Sequence, residues 1–500
     1  MQIIIIGAGL AGLSCGVHLA RQGHQVRIFE KNQRIGGRAN RVDEAGFKID
    51  MGPTLVLMPE VLEGLFRSAG RSLPDYINLK RLEPGYRILF SDGKHFDMSS
   101  DPQKIRAEVV KFIPDGLPAF ERYVRDVREK FEASRYTFIE KNFNHWAEMV
   151  SLESAAAFLR IKPWGNAYDH VKGYFNEPHV AAALSCQNLY LGQSPWLTPA
   201  LYNLLAYLEF TYGVWYPMGG LHTVPEALAK LFKELGGQVL LGEEVDSMVI
   251  EKKRVTGVRL KSGLVYDADA VVSNRDLPSS FKKFVPADGR RDMSDAKLDG
   301  WHYGCSTFML YLGMKGRVEG LNHHNIILPQ EYKEETDRIF VEGRLPQKPL
   351  LYVCCPTKTD ASLAPAGGEA IYVLSIVPNL NGKVDWEAEL PAFRQRIFEQ
   401  FRANGVEIRE DQIALERHFT PKDFETLYGS QRGTAFGLAP DFFQSAAFRP
   451  AIKSKDVKGL YHVGASTHPG GGIPMVLTCG RLAAEQIQKD SKALSGTPAR

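Results

Sequence analysis

The first thirty residues contain two short apolar runs with an amphipathic segment between them. Gln2 to Ile6 is a β-branched run of strand length that ends at a glycine, and Val26 to Glu30 is a second short run. Between them, Leu10 to Gln22 carries apolar residues at helical spacing, and Gly23 ends that pattern. The order strand, helix, strand predicts a parallel βαβ unit at the start of the chain.

Further along the chain, the apolar pattern changes several times between helical and strand spacing. Helical patterns begin at Pro59 and cover residues 118–146. A Gly219-Gly220 turn leads into another helix, and several short strands then extend to about residue 274. Residues 281–430 mix strands with helices. This alternation predicts an α/β fold.

Three glycines, Gly7, Gly9 and Gly12, occupy the turn between the first strand and the first helix. The first permits a tight turn, the second lets a pyrophosphate approach the backbone, and the third lets the helix pack against the strand. The helix N-terminus adds amide donors and a positive dipole. Glu30 ends the second strand, where its carboxylate can accept hydrogen bonds from ribose hydroxyls. The arrangement predicts a dinucleotide site and suits NAD and FAD alike.

Two more glycine motifs follow within the next thirty residues. Gly36-Gly37-Arg38 resembles the extension found in FAD-containing oxidases and desaturases, in which the arginine faces the phosphates or the ring of the cofactor. The alternative is an ordinary turn with an exposed arginine. Gly52-Pro53-Thr54 again places a glycine for close approach before a rigid turn. The first of these motifs favours FAD over NAD.

The second informative region lies near the end of the chain. Leu460 to Val463 is a short strand that reaches Gly464, and a glycine-rich loop then crosses Gly470 to Gly472 before a helix that starts at about Pro474. The amides of this helix N-terminus can stabilise negative charge on a reduced isoalloxazine ring. Paired with the N-terminal motif, this loop predicts a cofactor held by both ends of the chain.

Residues 184–216 form an unusually apolar segment in which Glu209 is the one charged residue. The segment contains eight aromatic residues: Tyr190, Trp196, Tyr202, Tyr207, Phe210, Tyr212, Trp215 and Tyr216. It suits an apolar tunnel or a surface that dips into a membrane interface, and plain core is the alternative.

Composition narrows the classes of partner. The 500 residues are 44% hydrophobic and 24% charged, as in ordinary globular proteins. The net charge is +3 with both signs spread along the chain, so we expect no nucleic-acid partner, because phosphate binding needs a concentrated basic face. Apart from one adjacent pair, the six cysteines lie far apart, as expected of reduced thiols in the cytoplasm.

No metal site and no membrane-spanning segment are expected. The chain has neither CxxC nor HExxH, adjacent Cys354 and Cys355 suit a buried strand, and the side chains of His323 and His324 should diverge on any regular element. The apolar N-terminus lacks the positive region of a signal peptide, and its glycines argue against a spanning helix. Lying on a membrane remains open.

The chain resembles the bacterial-type phytoene desaturase family, which includes diapophytoene desaturases and carotenoid oxidases. The motifs that carry the resemblance are GAGLAGL and GGR near the N-terminus, CQNLYLGQSPW at 186–196, YGVWYPMGG at 212–220 and GASTHPGGGIP at 464–474. The resemblance implies an α/β fold with a Rossmann-like FAD-binding domain built from discontinuous segments and an inserted α+β substrate domain. The segments expected are 1–80, 215–280 and 431–490 for the FAD-binding domain, 81–214 and 281–430 for the substrate and membrane-facing domain, and 491–500 as a loose tail.

The same resemblance implies an FAD-dependent desaturase that introduces conjugated double bonds into a colourless C30 or C40 carotene, at the cytoplasmic face of the membrane. The alternatives are an oxidase of terminal methyl groups and, less favoured, an amine or protoporphyrinogen-type oxidase. Ala465 stands where related amine oxidases tend to have an acidic residue, which favours the carotenoid branch. The expected partners are a long apolar isoprenoid, a membrane surface and, as an open case, a second copy or other carotenoid enzymes.

The resemblance also assigns candidate site residues. His468 and Glu209 are the catalytic candidates, and the alternatives are that His468 only holds its loop and that Glu209 pairs with an arginine. The candidates for cofactor binding are Gly7, Gly9, Gly12, Glu30, Lys31, Gly37, Arg38, Gly52, Pro53, Thr54, Val245, Gly464, Gly472, Ile473, Pro474 and Met475.

Overall fold

A computed structural model describes residues 1–143, 146–149, 151–161 and 164–494. The strands are β1 Gln2–Ile6, β2 Gln25–Glu30, β3 Arg41–Glu44, β4 Phe47–Asp50, β5 Leu79–Leu82, β6 Tyr86–Phe90, β7 His95–Met98, β8 Val214–Pro217, β9 Gln238–Leu241, β10 Val245–Glu251, β11 Arg254–Leu260, β12 Val265–Asp267, β13 Ala270–Ser273, β14 Ser306–Met314, β15 His324–Leu328, β16 Leu351–Cys354, β17 Glu369–Val377, β18 Ile413–Phe419 and β19 Leu460–His462. The α-helices are α1 Leu10–Arg21, α2 Pro59–Ser68, α3 Pro102–Phe112, α4 Leu117–Ser134, α5 Leu152–Ile161, α6 Ala167–Lys172, α7 Pro178–Ala183, α8 Leu204–Tyr212, α9 Thr223–Glu234, α10 Leu277–Phe284, α11 Asp295–Gly300, α12 Tyr332–Phe340, α13 Trp386–Ala403, α14 Pro421–Tyr428 and α15 Ile473–Leu494.

A parallel five-stranded sheet has the order β19-β13-β1-β2-β9. Its central strand β1 is buried on both faces, which explains its run of isoleucines. Because the strands are parallel, their carboxyl ends meet at one edge of the sheet. That edge brings together Gly7 after β1, Glu30 at the end of β2, Asn274 after β13 and Val463 after β19.

A second sheet has the order β18-β14-β17-β16-β15-β6-β7 and is antiparallel except between β15 and β6. All nine residues of β14 are buried, because both faces of this sheet are covered. Phe308, Leu310 and Leu312 pack with the apolar face of α13. Met309 and Tyr311 point to the opposite face and join the core around α4 and α7.

The strands of the two sheets fall in different segments of the chain. Those of the parallel sheet lie within 1–80, 215–280 and 431–490, and those of the seven-stranded sheet lie within 81–214 and 281–430. The division into a cofactor domain and a substrate domain stays a prediction. Helix α15 continues to Leu494, so residues 491–494 are helical and not part of a loose tail, and residues 495–500 lie outside the described residues.

The helix predicted over residues 118–146 is shorter than expected. Helix α4 ends at Ser134, whose hydroxyl donates to the Lys130 carbonyl oxygen at 2.7 Å. Such back-bonding loosens a helix, and the chain continues as a π-turn over Arg135–Ile139. The turn places Phe138 and Ile139 in the wall of the cavity described below.

None of the helices within the described ranges is both long and apolar enough to cross a bilayer.

Candidate active site

The turn after β1 has the shape of a phosphate-binding turn. Gly7 adopts φ +98°, and a Cβ at Gly12 would overlap the Gly7 carbonyl oxygen. Gly9 is the N-cap of α1, and a Cβ there would lie 2.7 Å from Asn274 Oδ1. The N-cap residue Gly9 has no side chain that could cap the helix, so the amides that precede Gly12 in the first turn remain open to an anion. The geometry therefore requires glycine at all three predicted positions.

Asn274 joins the two ends of the chain at this turn, and sequence reasoning missed it. Its Oδ1 accepts from the Gly12 amide at 3.0 Å, and its Nδ2 donates to the Val463 carbonyl oxygen at 3.1 Å. The N-terminal glycine turn and the strand before Gly464 are thereby connected through one side chain. The sequence signal that could have identified Asn274 is a side-chain amide placed directly after the buried strand β13.

The GGR and GPT motifs stack on the same turn. The Gly36 amide donates to the Ala8 carbonyl oxygen at 2.8 Å, and a Cβ at Gly37 would lie 3.4 Å from the Gly9 Cα. A Cβ at Gly52 would overlap the Arg38 carbonyl oxygen, so this contact also requires glycine. The three loops form one layer of backbone beside α1.

Arg38 is not an exposed turn residue. Its Nη2 donates to Ser430 Oγ at 2.8 Å, and burial lowers the pKa of its guanidinium from the ordinary value. The Asp276 carboxylate lies close enough to offset part of that effect, and Asp276 also accepts from the Gln431 amide at 2.9 Å and from the Ser466 hydroxyl. The arginine thus lines the cavity with a counter-charge nearby.

Glu30 is 5% exposed and lies between the glycine turn and the cavity. Its Oε2 accepts from the Ala8 amide at 2.8 Å, and its Oε1 accepts from the backbone and side-chain nitrogens of Asn32, both at 2.9 Å. A carboxylate has about four acceptor sites, so one remains for a ribose hydroxyl. Lys31 and Val245 line the same part of the cavity.

The C-terminal glycine loop, residues 464–472, returns the chain to this site. Gly464, Gly470 and Gly472 have φ of +129°, +136° and +100°, a region that favours glycine. Helix α15 starts directly after it at Ile473, and Ile473, Pro474 and Met475 line the cavity. Loops from both ends of the chain therefore line the same cavity.

A buried arginine that the sequence did not single out supports this loop. Arg449 Nη2 donates to the Ala465 carbonyl oxygen at 2.6 Å and to the Leu438 carbonyl oxygen at 3.3 Å. Its Nε has no partner among the described residues, and the side chain lines the cavity. Burial lowers its pKa from the ordinary value. Neither the spacing of Arg449 nor the residues beside it in sequence indicate that it supports this loop.

One continuous cavity of about 660 Å³ connects these loops to an apolar space. We call the part beside the glycine loops the nucleotide limb and the remainder the apolar limb. Residues that line the apolar limb include Met51, Leu55, Leu57, Met58, Phe131, Phe138, Ile139, Leu189, Leu191, Leu201, Leu204, Leu205, Leu208, Met309, Ile326, Leu350, Leu374 and Ile376. Among the described residues that line this limb there is no carboxylate.

The apolar segment 184–216 supplies much of that wall. Ten residues of the segment line the cavity. Two of its eight aromatic residues are among them, Tyr190 and Tyr202. The other lining residues from this segment are mostly leucines of α8 and of the turns before it. Most of the remaining rings pack elsewhere: Trp196, for example, stacks on Tyr168.

Glu209 lies behind this wall and is 2% exposed. Its Oε2 accepts from Tyr86 Oη at 2.6 Å and from Gln187 Nε2 at 3.3 Å, so its partners are not arginines. Burial raises the pKa of Glu209 to about 8, so the carboxyl is mostly protonated at neutral pH. Tyr190 lines the cavity and lies close enough to Glu209 to interact with it electrostatically, and the Tyr190 hydroxyl has no partner among the described residues.

His468 lines the cavity and is 1% exposed. Its Nε2 lies 2.8 Å from the Lys141 carbonyl oxygen and its Nδ1 lies 3.2 Å from the Ala446 carbonyl oxygen. Burial lowers its pKa to about 4, so the ring is neutral and donates from one nitrogen, at the shorter contact. These contacts favour the interpretation that His468 holds the C-terminal glycine loop.

The apolar limb opens at a group of aromatic rings, which we call the mouth cluster: the half-buried Phe158 and the exposed Trp164, Phe442, Phe443 and Phe448. The rings of Phe158 and Phe442 lie 5.9 Å apart, and those of Phe442 and Phe443 lie 5.2 Å apart. Phe443 is 75% exposed and Trp164 is 71% exposed. Phe158, Phe442 and Phe448 also line the cavity, so the apolar interior continues to an apolar surface.

Comparison with known proteins places the site in a family. The family model described as flavin containing amine oxidoreductase matches residues 10–488. The chain belongs to this family. FAD is its cofactor, and the fold class expected from the sequence is confirmed.

Individual relatives agree with this assignment. A zeta-carotene-forming phytoene desaturase of Myxococcus xanthus is 38% identical, over 97% of this chain and 93% of the relative. A 4,4'-diapophytoene desaturase (4,4'-diaponeurosporene-forming) of Staphylococcus haemolyticus is 33% identical, over 98% and 99%. The crystal structure of an oxidoreductase from Methanosarcina mazei aligns with a TM-score of 0.64 at 16% identity, over 98% of this chain and 100% of that chain.

The residues present fit FAD. The uncapped α1 N-terminus suits the pyrophosphate, the remaining acceptor site of Glu30 suits a ribose, and the glycine loop at 464–472 with the α15 N-terminus suits the isoalloxazine end. Glycines stand at each close approach of the backbone to the cavity. The assignment of individual residues to parts of FAD remains a prediction.

Proposed function

We propose that this chain is an FAD-dependent carotenoid desaturase that introduces conjugated double bonds into a colourless carotene, phytoene or diapophytoene. The observation that carries the proposal is the continuous cavity that joins the flavin site to an apolar limb with no carboxylate among its described lining residues. The desaturase relatives, aligned over nearly the whole chain, support the same reaction. An amine substrate would need a polar partner in this limb, which disfavours an amine oxidase.

The walls of the apolar limb position the carotene substrate. A carotene offers no polar group near its reacting carbons, so its place is set by shape and by burial of apolar surface against leucine, methionine and phenylalanine side chains. The same walls exclude water. Bound FAD supplies the acceptor for a hydride equivalent taken from carbon.

Loss of hydrogen from carbon also releases a proton, and the protein must take it up. His468 is neutral with its ring nitrogens against backbone carbonyl oxygens. Glu209 has one carboxyl oxygen without a partner among the described residues, and its raised pKa of about 8 lies near the working range. We therefore favour Glu209 as the proton acceptor, reached from the cavity through the Tyr190 hydroxyl.

The mouth cluster is the proposed contact with the membrane. Exposed phenylalanine and tryptophan rings bind the interfacial region of a bilayer, where a water-insoluble carotene resides. Because three of these residues also line the cavity, substrate would pass from the bilayer into the apolar limb without crossing water. We propose that the protein attaches peripherally, at the cytoplasmic face of the membrane.

Expression in cells that make only phytoene, and in parallel cells that make only diapophytoene, tests the proposal. Extracted pigments that are coloured and have lost pairs of hydrogen atoms would establish desaturation and assign the chain length. No colour in either strain, with folded FAD-loaded protein, would contradict it. Coloured carotenes that gain oxygen on exposure to the protein would instead establish the terminal-methyl oxidase.

A further inference from the structure

Three buried side chains outside the cavity lining converge in the substrate domain; we call them the His-His-Cys cluster: His323, His324 and Cys354. One potential ligand atom from each lies within 4.8 Å of the other two. The three residues are 7%, 1% and 1% exposed, so the group is enclosed by protein. The sequence had predicted that the two imidazoles diverge, and the structure contradicts this, with ring centroids 4.3 Å apart.

The backbone explains the convergence. Strands β15 and β16 are antiparallel, and His324 is directly opposite Cys354 in their register. Directly opposed residues project their side chains to the same face of a sheet. His323 precedes β15 and lies in a bend, so strand alternation does not force its ring to the other face.

The hydrogen bonds of the two imidazoles leave the same nitrogen unused in each. His323 Nδ1 lies 2.6 Å from Thr359 Oγ1, and His324 Nδ1 lies 2.8 Å from Tyr352 Oη. Neither Nε2 has a hydrogen-bond partner among the described residues, although both are buried. A hydroxyl bound to Nδ1 is the outer contact that orients a metal-binding histidine and leaves the Nε2 lone pair free.

The donor set suits zinc, and the same combination of two imidazoles and one thiolate also suits copper. Two imidazole nitrogens and one thiolate bind zinc, with distances of about 2.0–2.1 Å to nitrogen and about 2.3 Å to sulfur. A further oxygen is at hand, since the ring of Tyr216 lies 4.5 Å from that of His323 and the Tyr216 hydroxyl has no partner among the described residues.

We propose that His323 Nε2, His324 Nε2 and Cys354 Sγ bind one zinc ion, with water or the Tyr216 hydroxyl in the fourth position. The ion would connect β15 and β16 to the bend before β15. His324 also bonds to Tyr352, whose hydroxyl lies 2.6 Å from Thr54 Oγ1, and both Tyr352 and Thr54 line the cavity. The site would therefore stabilise one wall of the cavity. It does not depend on the substrate proposed above.

Metal analysis of the full-length, FAD-loaded protein tests this inference. After growth with added zinc and dialysis against metal-free buffer, we expect about one zinc per chain, and zinc-edge X-ray absorption with two nitrogen neighbours and one sulfur neighbour. Cys354→Ser and His323→Asn should reduce zinc at least tenfold. Cys355→Ser is the matched control, because Cys355 is equally buried but packs in the apolar core on the other side of the sheet.

Less than 0.1 zinc per chain in the wild-type protein, or full zinc content in Cys354→Ser, would overturn the inference. A zinc spectrum without a sulfur neighbour would do the same. If Cys354→Ser fails to fold, the wild-type absorption spectrum still decides the matter, together with the thermal midpoint before and after stripping with a chelator. We expect stripping to lower that midpoint in the wild-type and Cys355→Ser proteins alike.

Discussion

At the scale of single residues, burial determines what each polar candidate can still do. His468 and Glu209 are both almost fully buried, and burial shifts both toward the neutral form. The neutral ring of His468 is engaged by backbone carbonyl oxygens, whereas Glu209 retains an oxygen without a partner among the described residues. The two residues should therefore respond differently to substitution.

Glu209→Gln should slow carotene desaturation by roughly 100-fold, the usual contribution of one positioned base. The wild-type rate should rise as pH increases through about 8, because the deprotonated carboxylate accepts the proton and its raised pKa lies there. The variant should lack this rise. Initial rates between pH 6 and pH 9.5, measured on carotene in vesicles, check the expectation.

The exposed Glu129→Gln is the control for that series. A Glu209→Gln protein with the wild-type rate and the wild-type pH profile would reduce Glu209 to a packing role beside Tyr86 and Gln187.

His468→Gln should keep most activity, because a glutamine amide can still donate to the Lys141 carbonyl oxygen. His468→Ala should remove this hydrogen bond, whose net contribution to stability is about 0.5–1.5 kcal/mol, and should release FAD from the loosened loop. Thermal unfolding and the ratio of flavin to protein absorbance measure both effects. Lost turnover in a His468→Gln protein that still holds FAD would indicate that the imidazole itself takes part in the reaction.

At the scale of secondary-structure elements, local periodicity predicted much of the nucleotide limb. Strand β1 has the predicted bounds, and α1 ends within one residue of its predicted end, because each depends on neighbours in sequence. Helix α4 was predicted too long, because the bond from Ser134 to the Lys130 carbonyl oxygen has no counterpart in hydrophobic spacing.

Contacts between distant elements could not be predicted in the same way. Asn274 acts across β13, α1 and β19, and Arg449 supports a loop that the chain reaches sixteen residues later. Each depends on the arrangement of the parallel sheet and the loops around it. His324 and Cys354 lie opposite each other because of the register between β15 and β16. The hydrophobic periodicity of one sequence does not predict that register.

Two glycine substitutions separate cofactor geometry from general stability. Gly52→Ala should lose bound FAD, because its Cβ would push the Arg38 carbonyl oxygen and separate the stacked loops. Gly64→Ala in α2 meets open space and should stabilise the helix by about 1 kcal/mol. Flavin content and thermal midpoint of the two proteins give the comparison, and equal flavin content in both would contradict the stacked-loop account.

At the scale of the whole molecule, one apolar path connects surface, substrate space and cofactor. Its walls come from both sheets and from several loops between them, and its mouth comes from two distant segments around Phe158 and Phe442. Sequence reasoning identified the apolar segment 184–216 but not the mouth cluster. Phe158 and Phe442, 284 residues apart in sequence, become neighbours only through the fold.

Phe443→Ser should weaken binding to phospholipid vesicles about tenfold, because burial of one phenylalanine contributes about 1.5–3 kcal/mol. Val341→Ser is the matched control, since Val341 is 68% exposed but belongs to neither the mouth cluster nor the cavity lining. Flotation of vesicles with each protein measures the difference. Equal flotation of both variants and the wild type would place the membrane contact elsewhere.

The central claim is that a carotene in the apolar limb passes hydrogen to the flavin. It is tested most directly by adding phytoene or diapophytoene, in vesicles and without oxygen, to the purified FAD-loaded protein while recording flavin absorbance. We predict loss of the oxidised flavin band with one of the two carotenes, with one double bond formed for each flavin reduced. A flavin that stays oxidised with both carotenes, in protein shown to bind the vesicles, would contradict the account.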